Sequence, residues 1–261
     1  MGRVGTWIYQ NSGGDVVEQK LLSILKDMGH EVITNLNLFH STATAGKLIC
    51  NEINMYDLDV FFSYNAGEQT QYQTYMYEQV DKYVKCINNF DAFKVSEDKF
   101  KTSDILRNNG INSTDYFLCH RDEIDKIREI VKTWGKVVFK RVDGWGGIGM
   151  SLLESVEQLD MILPFLNQTD LRFFYIEKFV DYDGSDFRVD IVDNQFIACY
   201  GRKAKQGDWR TNVTSGGSVI LRDDFDDKLI ETAKKAAKAL NMDVAGVDII
   251  YDRQKQHNLV F

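Results

Sequence analysis

The sequence is poor in the residues that mark several common protein classes. Its 261 residues include one proline, four histidines and four cysteines. With a single proline, Pro164, no proline-rich linker separates domains. The cysteines form no C-x-x-C pair, so neither a disulfide framework nor a zinc knuckle is expected. They are widely spaced, and we expect four reduced thiols at Cys50, Cys86, Cys119 and Cys199.

Two further absences concern membranes and nucleic acids. The chain has no run of about 18 apolar residues, the minimum for a membrane-spanning helix. Its first residues, "MGRVGTWIYQ", follow a strand pattern and then a loop instead of a signal peptide. A formal net charge of −8 and a pI near 5.1 give no overall basic surface for nucleic acid. We therefore expect a cytoplasmic protein with neither a membrane nor a nucleic-acid partner.

Residues 1–95 alternate between strand and helix patterns. "VGTWIY", "HEVITNL" and "DLDVFFSYN" are strand-like, whereas "VVEQKLLSILKDMG" and "TQYQTYMYEQVDKYVK" have helical spacing. Ser12 or Asp15 is the expected N-cap of the first helix. This alternation predicts a βαβ-type N-terminal domain.

The pattern changes at Ser96. "SEDKFKTSDILRNNG" predicts a helix that opens with a capping box at 96–99, and Asp122 is the expected N-cap of the helix in "RDEIDKIREIVKTWG". "GSDFRVDIVDNQFIACYGRKA" predicts a hairpin that turns at "VDNQ". "KLIETAKKAAKALN" predicts an amphipathic helix and "VAGVDIIYD" a strand.

A glycine-rich loop, "DGWGGIGM", satisfies G-x-G-x-x-G at Gly144, Gly146 and Gly149. A dinucleotide-binding loop needs a helix directly after the glycines, but "MSLLE" is extended in character. The "HRD" at 120–122 precedes the glycines, the reverse of the kinase order, and no G-K-[ST] closes a P-loop. We expect a strand–loop–strand hairpin whose backbone N–H groups cradle a phosphate beside Lys140. A plain surface turn is the alternative at this point.

Charged residues cluster in three later segments. Asp186, Arg188 and Asp190 alternate on one face of a strand, and "AGVDII" places Asp248 inside an apolar strand. Cationic side chains are concentrated in "YGRKAKQGDWRTNVTSGGSV". Such donors in an acidic protein indicate a local phosphate or carboxylate site. The alternative is structural ion pairing of Arg188 and Arg210 with Asp186 and Asp208.

Six motifs occur in the order that is typical of one superfamily. They are "EDKFKTSDILRNNGI", "VVFKRVDGWGGIGM", "YIEKFVD", "GSDFRVDIV", "RKAKQGDWRTNVTSGG" and "AGVDII". From about Ser96 to Phe261 the sequence resembles the ATP-grasp ligases of the RimK-like and glutathione-synthetase-like branch. The resemblance implies an α/β ATP-grasp fold, in which two α+β subdomains clasp ATP, preceded by a βαβ Rossmann-like domain. The implied boundaries are 1–95, 96–180 with the glycine loop, and 181–261, the last apparently cut short.

The resemblance also implies roles for individual residues. ATP phosphates are expected at Lys99 and Lys140, under a loop formed by Gly146, Gly147 and Gly149. The backbone at Glu177 and Lys178 is expected to contact adenine, and Asp186 the ribose side of the nucleotide. Arg210, Thr211 and Asn212 match a stretch that contacts nucleotide and intermediate, and Asp248 matches a magnesium ligand. Arg188 and Arg202 are expected, with Arg210, to act on the acceptor carboxylate or acyl-phosphate.

The activity implied is ATP-dependent amide or peptide bond formation through an acyl-phosphate, with Mg²⁺ or Mn²⁺. The expected partners are small-molecule or peptide carboxylates and amines, and a homo-oligomer is compatible with the sequence. One departure is that the family's E-x-N motif, which supplies further metal ligands, would fall just beyond Phe261. A degenerate or regulatory nucleotide-binding protein with little turnover is therefore the alternative.

Overall fold

The computed structural model describes residues 1–9, 14–64, 70–144, 146–147 and 149–261. They form two compact units, Met1–Lys94 and Val95–Phe261. Within these ranges no helix combines the length and apolar character needed to cross a bilayer.

The first unit is built on a parallel four-stranded sheet with helices between its strands. These elements are β1 (Arg3–Ile8), α1 (Gly14–Asp27), β2 (Glu31–Ile33), β6 (Val60–Tyr64), α2 (Gln71–Asp81) and β7 (Lys85–Ile87). The strand order is β2-β1-β6-β7, and the helix α3 (Phe90–Ser96) follows. Large apolar side chains fill the core, among them the fully buried Leu36, Leu48 and Phe61. The predicted βαβ arrangement is confirmed.

The first unit also has a feature that the sequence patterns did not reveal. A small antiparallel sheet consists of β3 (Thr42–Thr44), β4 (Lys47–Cys50) and β5 (Ile53–Asn54). These strands are only two to four residues long, too short for alternation to be recognised. Of the two proposed N-caps of α1, Asp15 was wrong, because it lies inside the first turn of the helix Gly14–Asp27. Ser12 lies outside the described residues.

The second unit begins with a four-stranded antiparallel sheet and its helices. The elements are α4 (Lys99–Asn108), β8 (Tyr116–His120), α5 (Ile124–Trp134), β9 (Val137–Lys140), β10 (Ser151–Leu153), α6 (Val156–Leu166) and β11 (Phe173–Lys178). The strand order is β10-β9-β11-β8. Helices α5 and α6 contribute to the core of this sheet, where Ile127, Phe174 and Ile176 are buried.

The second sheet of this unit has five strands. Its elements are β12 (Ser185–Val192), β13 (Gln195–Lys203), β14 (Ser218–Ile220), α7 (Asp227–Ala239), β15 (Val244–Asp252) and β16 (His257–Val260). The strand order is β14-β13-β12-β15-β16. One face packs against α7, where Val189, Ile191 and Ile249 meet Leu229 and Ala233. The opposite face carries the charged residues of β12.

Two predicted helix starts in the second unit were wrong. The helix α4 begins at Lys99, and its N-cap is Asp98, whose side chain accepts from the backbone N–H of Lys101, instead of the predicted Ser96. The residue that precedes α5 is Glu123, with no side-chain cap, instead of Asp122. In contrast, the hairpin at "VDNQ" is confirmed: Asp193 and Asn194 both have positive φ, as a tight two-residue turn requires.

Candidate active site

The glycine-rich loop connects two antiparallel strands. Strands β9 and β10 pair with Phe139 opposite Ser151, so a strand follows the glycines and the predicted strand–loop–strand hairpin is confirmed. Gly146 and Gly147 have φ values of +59° and +76°. These values favour glycine, because a side chain in this region of backbone space is strained. A dinucleotide-binding βα turn is thereby excluded.

The loop is docked on the segment that follows β13. The carbonyl of Gly146 accepts hydrogen bonds from Thr214 Oγ1 at 2.6 Å and Ser215 Oγ at 3.0 Å. The carbonyl of Gly147 accepts from Arg210 Nη1 at 3.3 Å. A Cβ atom on Gly147 would lie 2.5 Å from Ser215 Oγ. Gly147 is thus needed for its backbone conformation and also for the close approach of the loop to Ser215.

Two lysines, Lys99 and Lys140, lie close to this loop. Lys140 Nζ donates to Glu177 Oε2 at 2.6 Å, and both side chains are buried. Glu177 accepts a second hydrogen bond from Tyr175 Oη at 3.0 Å, which fixes its carboxylate. Lys99 donates to the carbonyl of Gly144. Burial lowers the pKa of Lys99, and the nearby positive charge of Lys140 lowers it further.

A fully buried carboxylate joins β12 to β13 and to the segment after it. Asp186 has no exposed surface and accepts from Arg202 Nε at 3.0 Å and Nη2 at 2.6 Å. Its Oδ2 also accepts from Thr211 Oγ1 at 2.6 Å. Burial by itself would lower the pKa of the Arg202 guanidinium. The negative charges of Asp248 and Asp186 have the larger effect, so the pKa is raised. In this arrangement Asp186 holds Arg202 and Thr211 in place.

Asp248 lies between two arginines on the charged face of the second sheet. Its Oδ2 is 2.8 Å from Arg202 Nη2, and its Oδ1 is 2.6 Å from Arg188 Nε. The contact between Oδ1 of Asp248 and Nε of Arg188 is an ion pair that lacks hydrogen-bond alignment. Neither of these two atoms has a hydrogen-bond partner among the described residues. The guanidinium of Arg188 lies against Gly246, because a Cβ atom added to this glycine would be 2.1 Å from Arg188 Nη1. Arg188 therefore pairs with Asp248, and not with Asp186 as the structural alternative held.

Arg210 is fixed by its near neighbour Asp208. Nε and Nη2 of Arg210 donate to the two carboxylate oxygens at 3.1 and 2.8 Å. These hydrogen bonds lower the pKa of the Asp208 carboxyl to about 2. The structural pairing proposed for Arg210 is thus present, and the same guanidinium still reaches the glycine loop at Gly147.

A cavity in the second unit gathers six of the predicted site residues. They are Lys140, Glu177, Lys178, Arg210, Thr211 and Asn212. The remainder of the lining is largely apolar, with Val138, Phe179, Trp209 and Ile250 among it. A mostly apolar cleft with a few convergent polar groups is the usual form of a small-molecule site. The glycines, Lys99 and the Asp186–Arg202–Asp248–Arg188 cluster are not part of this lining, although Arg210 and Thr211 contact Gly147 and Asp186.

The carboxylates on the charged face do not form a complete metal site. Among the described residues, no group of three His, Cys, Asp or Glu side chains is arranged to hold a metal ion. Asp248 offers one carboxylate, whose buried Oδ1 is ion-paired with Arg188 but has no hydrogen-bond partner in the described part of the chain. Mg²⁺ is often bound through one or two carboxylates together with substrate phosphates and water. Asp248 therefore fits a metal that arrives with a phosphorylated ligand, and it does not by itself form a resident metal site.

Several contacting residues were not singled out from the sequence. Tyr175 and Ser103, whose hydroxyls are 3.2 Å apart, support Glu177 from the protein interior. Thr214 and Ser215 anchor the glycine loop. Only Thr214 and Ser215 had a visible signal, since they lie in the "RTNVTSGG" of the charged segment.

Comparison with known proteins identifies the second unit. Residues 96–261 match the family described as the RimK-like ATP-grasp domain. A "Probable alpha-L-glutamate ligase" of Vibrio parahaemolyticus is 29% identical over 171 residues, which cover 64% of this chain and 56% of that protein. The protein of the same name from Halorhodospira halophila is 30% identical over 165 residues, covering 63% and 54%. The chain thus spans little more than half the length of these relatives.

Solved structures extend the similarity to the whole chain. A RimK domain ATP-grasp protein from Sphaerobacter thermophilus has a TM-score of 0.74 at 12% identity, covering 100% of this chain and 89% of that one. The D-alanine–D-alanine ligase from Bacillus anthracis has a TM-score of 0.67 at 16% identity, covering 100% and 86%. At such identities the likeness shows the fold. The predicted α/β ATP-grasp fold is confirmed, and the chain belongs to the RimK-like ATP-grasp family.

Proposed function

We propose that this protein is an ATP-dependent carboxylate–amine ligase that forms an amide or peptide bond. The observation that carries the proposal is the glycine hairpin docked beside a cavity that contains Lys140 and Arg210. Backbone N–H groups, lysines and arginines are the groups that neutralise a transferring phosphoryl group. The names of the relatives and of the structural neighbours support a ligase.

The reaction would proceed in two steps. In the first, an oxygen of the substrate carboxylate attacks the γ-phosphorus of ATP, the bond to the β-phosphate oxygen breaks, and ADP and an acyl-phosphate result. In the second, the amine attacks the acyl carbon, a C–N bond forms, the C–O bond to phosphate breaks, and the amine's surplus protons pass to solvent. Neither step needs a protein nucleophile, since positioning and charge neutralisation dominate phosphoryl transfer.

The charged residues would divide this work. Lys140 and Lys99 would bind phosphate oxygens, with Gly146, Gly147 and Gly149 covering them. Residues Glu177 and Lys178 would border the base, in the apolar part of the cavity. The guanidinium groups of Arg188, Arg202 and Arg210 would stabilise the negative charge that develops on the acyl-phosphate.

Asp186 is proposed as a positioning residue for Arg202 and Thr211. Both of its oxygens accept hydrogen bonds from these two side chains, and it is fully buried. Asn212 lines the cavity next to Thr211 and would contact the nucleotide.

A divalent cation, Mg²⁺ or Mn²⁺, would enter with ATP. One solved neighbour is described as an ATP-grasp ligase with its minimal precursor, Mg and ADP. When bound, the metal would neutralise phosphate charge. Asp248 would be its protein ligand.

The substrates would be small molecules or peptides that carry a carboxylate and an amine. The name shared by the relatives makes L-glutamate the first compound to test in either role. We expect neither nucleic acid nor a membrane as a partner. We expect a cytoplasmic location, and a homo-oligomer is compatible with these features.

A second candidate, a nucleotide-binding protein with little turnover, is favoured by one observation. Among the described residues, no group of three His, Cys, Asp or Glu side chains is arranged to hold a metal ion, and both oxygens of Asp248 are engaged by arginines. A thermal-shift titration with ATP and Mg²⁺, followed by an ADP-release assay over a panel of amino acids and peptides, separates the two. Binding with substrate-dependent ADP release supports the ligase, and binding without it supports the alternative.

A further inference from the structure

One hydroxyl group in the wall of the cavity that contains Lys140 and Arg210 has no place in the scheme above. Thr114 lines this cavity and is only 4% exposed. Its Oγ1 is buried and has no hydrogen-bond partner among the described residues. Of the buried side-chain atoms in the described ranges that lack such a partner, it is the only one whose residue lines the cavity. An unpaired buried hydroxyl is costly, and native proteins keep few of them.

The backbone on both sides of Thr114 is fixed. The carbonyl of Asp115 accepts a hydrogen bond from the N–H of Lys178 at 2.8 Å, and the carbonyl of Asn112 accepts from the N–H of Val260 at 2.9 Å. The segment therefore joins β11 to β16, and thus one strand of each sheet of the second unit. Because both ends are held, Thr114 cannot turn its hydroxyl to solvent without the loss of these hydrogen bonds.

The same contacts relate Thr114 to the base of the nucleotide. Its neighbour Asp115 is hydrogen-bonded to Lys178, one of the two residues proposed to border the base. The cavity wall also contains apolar side chains that suit a planar ring, among them Val138, Phe179 and Ile250. A purine has ring nitrogens that accept hydrogen bonds, and a threonine hydroxyl can donate one. A bound base would thus supply the partner that Thr114 lacks.

We propose that Thr114 is a base-contacting residue, whose Oγ1 donates a hydrogen bond to a ring nitrogen of the adenine of ATP. The hydroxyl then destabilises the nucleotide-free protein, because it is buried without a partner, and this cost is recovered when ATP binds. Thr114 acts on the base, whereas the lysines and arginines act on the phosphates. This inference rests on the proposed function, since it requires ATP in this cavity.

The neighbouring residue Ser113 provides a matched control. Its Oγ is also buried without a hydrogen-bond partner in the described part of the chain, but Ser113 does not belong to the cavity lining. Thr114→Val replaces the hydroxyl with a methyl group of similar size, Thr114→Ser keeps the hydroxyl, and Ser113→Ala removes the neighbouring one. For the wild type and each variant, isothermal titration calorimetry gives the Kd for ATP with Mg²⁺. Thermal unfolding without nucleotide gives the Tm.

The expected changes in affinity and stability have opposite signs. Thr114→Val should raise the Kd for ATP roughly 5- to 100-fold, because a ring nitrogen of the base is then buried without a donor. Its Tm without nucleotide should equal or exceed that of the wild type, because the variant no longer buries an unpaired hydroxyl. Thr114→Ser and Ser113→Ala should bind ATP as the wild type does. A purely structural role would instead lower the Tm and the affinity together.

Several results would overturn the assignment of Thr114. One is an unchanged Kd for ATP in Thr114→Val, and another is an equal rise of the Kd in Thr114→Val and Ser113→Ala. Failure of Thr114→Val to fold, while Thr114→Ser folds, would show that the hydroxyl stabilises the nucleotide-free protein, which also contradicts the assignment. All these results leave ATP binding by the wild type intact. No binding of ATP by the wild type would instead refute the proposed function, and the base contact with it.

Discussion

Lys140 and Glu177 form a buried ion pair, with Nζ and Oε2 2.6 Å apart, in the lining of the candidate nucleotide cavity. In the protein without nucleotide, Glu177 is the ion-pair partner of Lys140. An incoming phosphate would compete with Glu177 for the same ammonium group, while Tyr175 continues to hold the carboxylate. The pair therefore orients the ammonium group of Lys140 before ATP arrives.

Glu177→Gln should lower the free energy of unfolding by about 3–5 kcal/mol, because it leaves the buried charge of Lys140 without its partner. Chemical denaturation measures this change. The control is Glu154→Gln, which removes the exposed pair with Lys136 and should cost no more than about 1 kcal/mol. Equal losses of unfolding free energy in the two variants would show that the buried pair stabilises the protein no more than the exposed one.

Gly147→Ala should raise the KM for ATP about tenfold, since a left-handed alanine costs about 1–2 kcal/mol and its Cβ would collide with Ser215. Gly207→Ala is the matched control. Gly207 also has a positive φ, of +83°, but a Cβ there meets nothing within 4 Å. Steady-state kinetics of ADP release distinguish them. A normal KM in Gly147→Ala would mean that docking of the loop on the 212–215 segment is not needed for ATP use.

Asp186→Asn should destabilise the protein by about 3–5 kcal/mol, because the amide cannot accept from Arg202 and Thr211 as the carboxylate does. The comparison is Asp224→Asn, which breaks the partly exposed pair with Arg222 and should cost about 1 kcal/mol or less. Thermal and denaturant unfolding measure both changes. A near-neutral Asp186→Asn variant that has lost ATP binding would contradict the positioning role and indicate direct nucleotide contact.

The pH dependence of ATP use should reflect Lys99. Burial and the charge of Lys140 lower the pKa of this lysine, so its charged form is lost at a lower pH than that of an exposed lysine. The kcat/KM for ATP, which reports the free enzyme, should therefore decline on the alkaline side below the ordinary lysine range. Lys99→Arg should move that decline to higher pH, because arginine stays protonated. An identical alkaline limb in the variant would exclude Lys99 as its origin.

Periodicity and motif order predicted the parts of this molecule that depend on local sequence. The segment "MSLLE" after Gly149 has the extended character of a strand, and its residues 151–153 pair with β9. That extended character alone argues against a dinucleotide-binding loop, which needs a helix at this point. The partners of the charged residues depend on strand register, which sequence spacing does not supply. Arg188 and Asp248 are 60 residues apart and meet because β12 and β15 pair at those positions.

Helix starts were less predictable for a related reason. Asp98, Ser96 and Glu97 all precede α4, and several of them suit a cap by residue type. Asp98 is the N-cap, and the N–H of Lys99 donates to the carbonyl of Val142, a tertiary contact that sequence spacing does not reveal. The short strands β3 to β5 were missed because two to four residues carry too little pattern.

The proposed function requires that the protein transfer the γ-phosphoryl group of ATP to a carboxylate. It is tested most directly by measuring ADP and hydroxamate together, with ATP, Mg²⁺, hydroxylamine and L-glutamate or another acid from the panel. We expect equal amounts of the two products, both dependent on the acid and both abolished in Lys140→Ala. ADP release that needs no acid, or that is unchanged in Lys140→Ala, would contradict it.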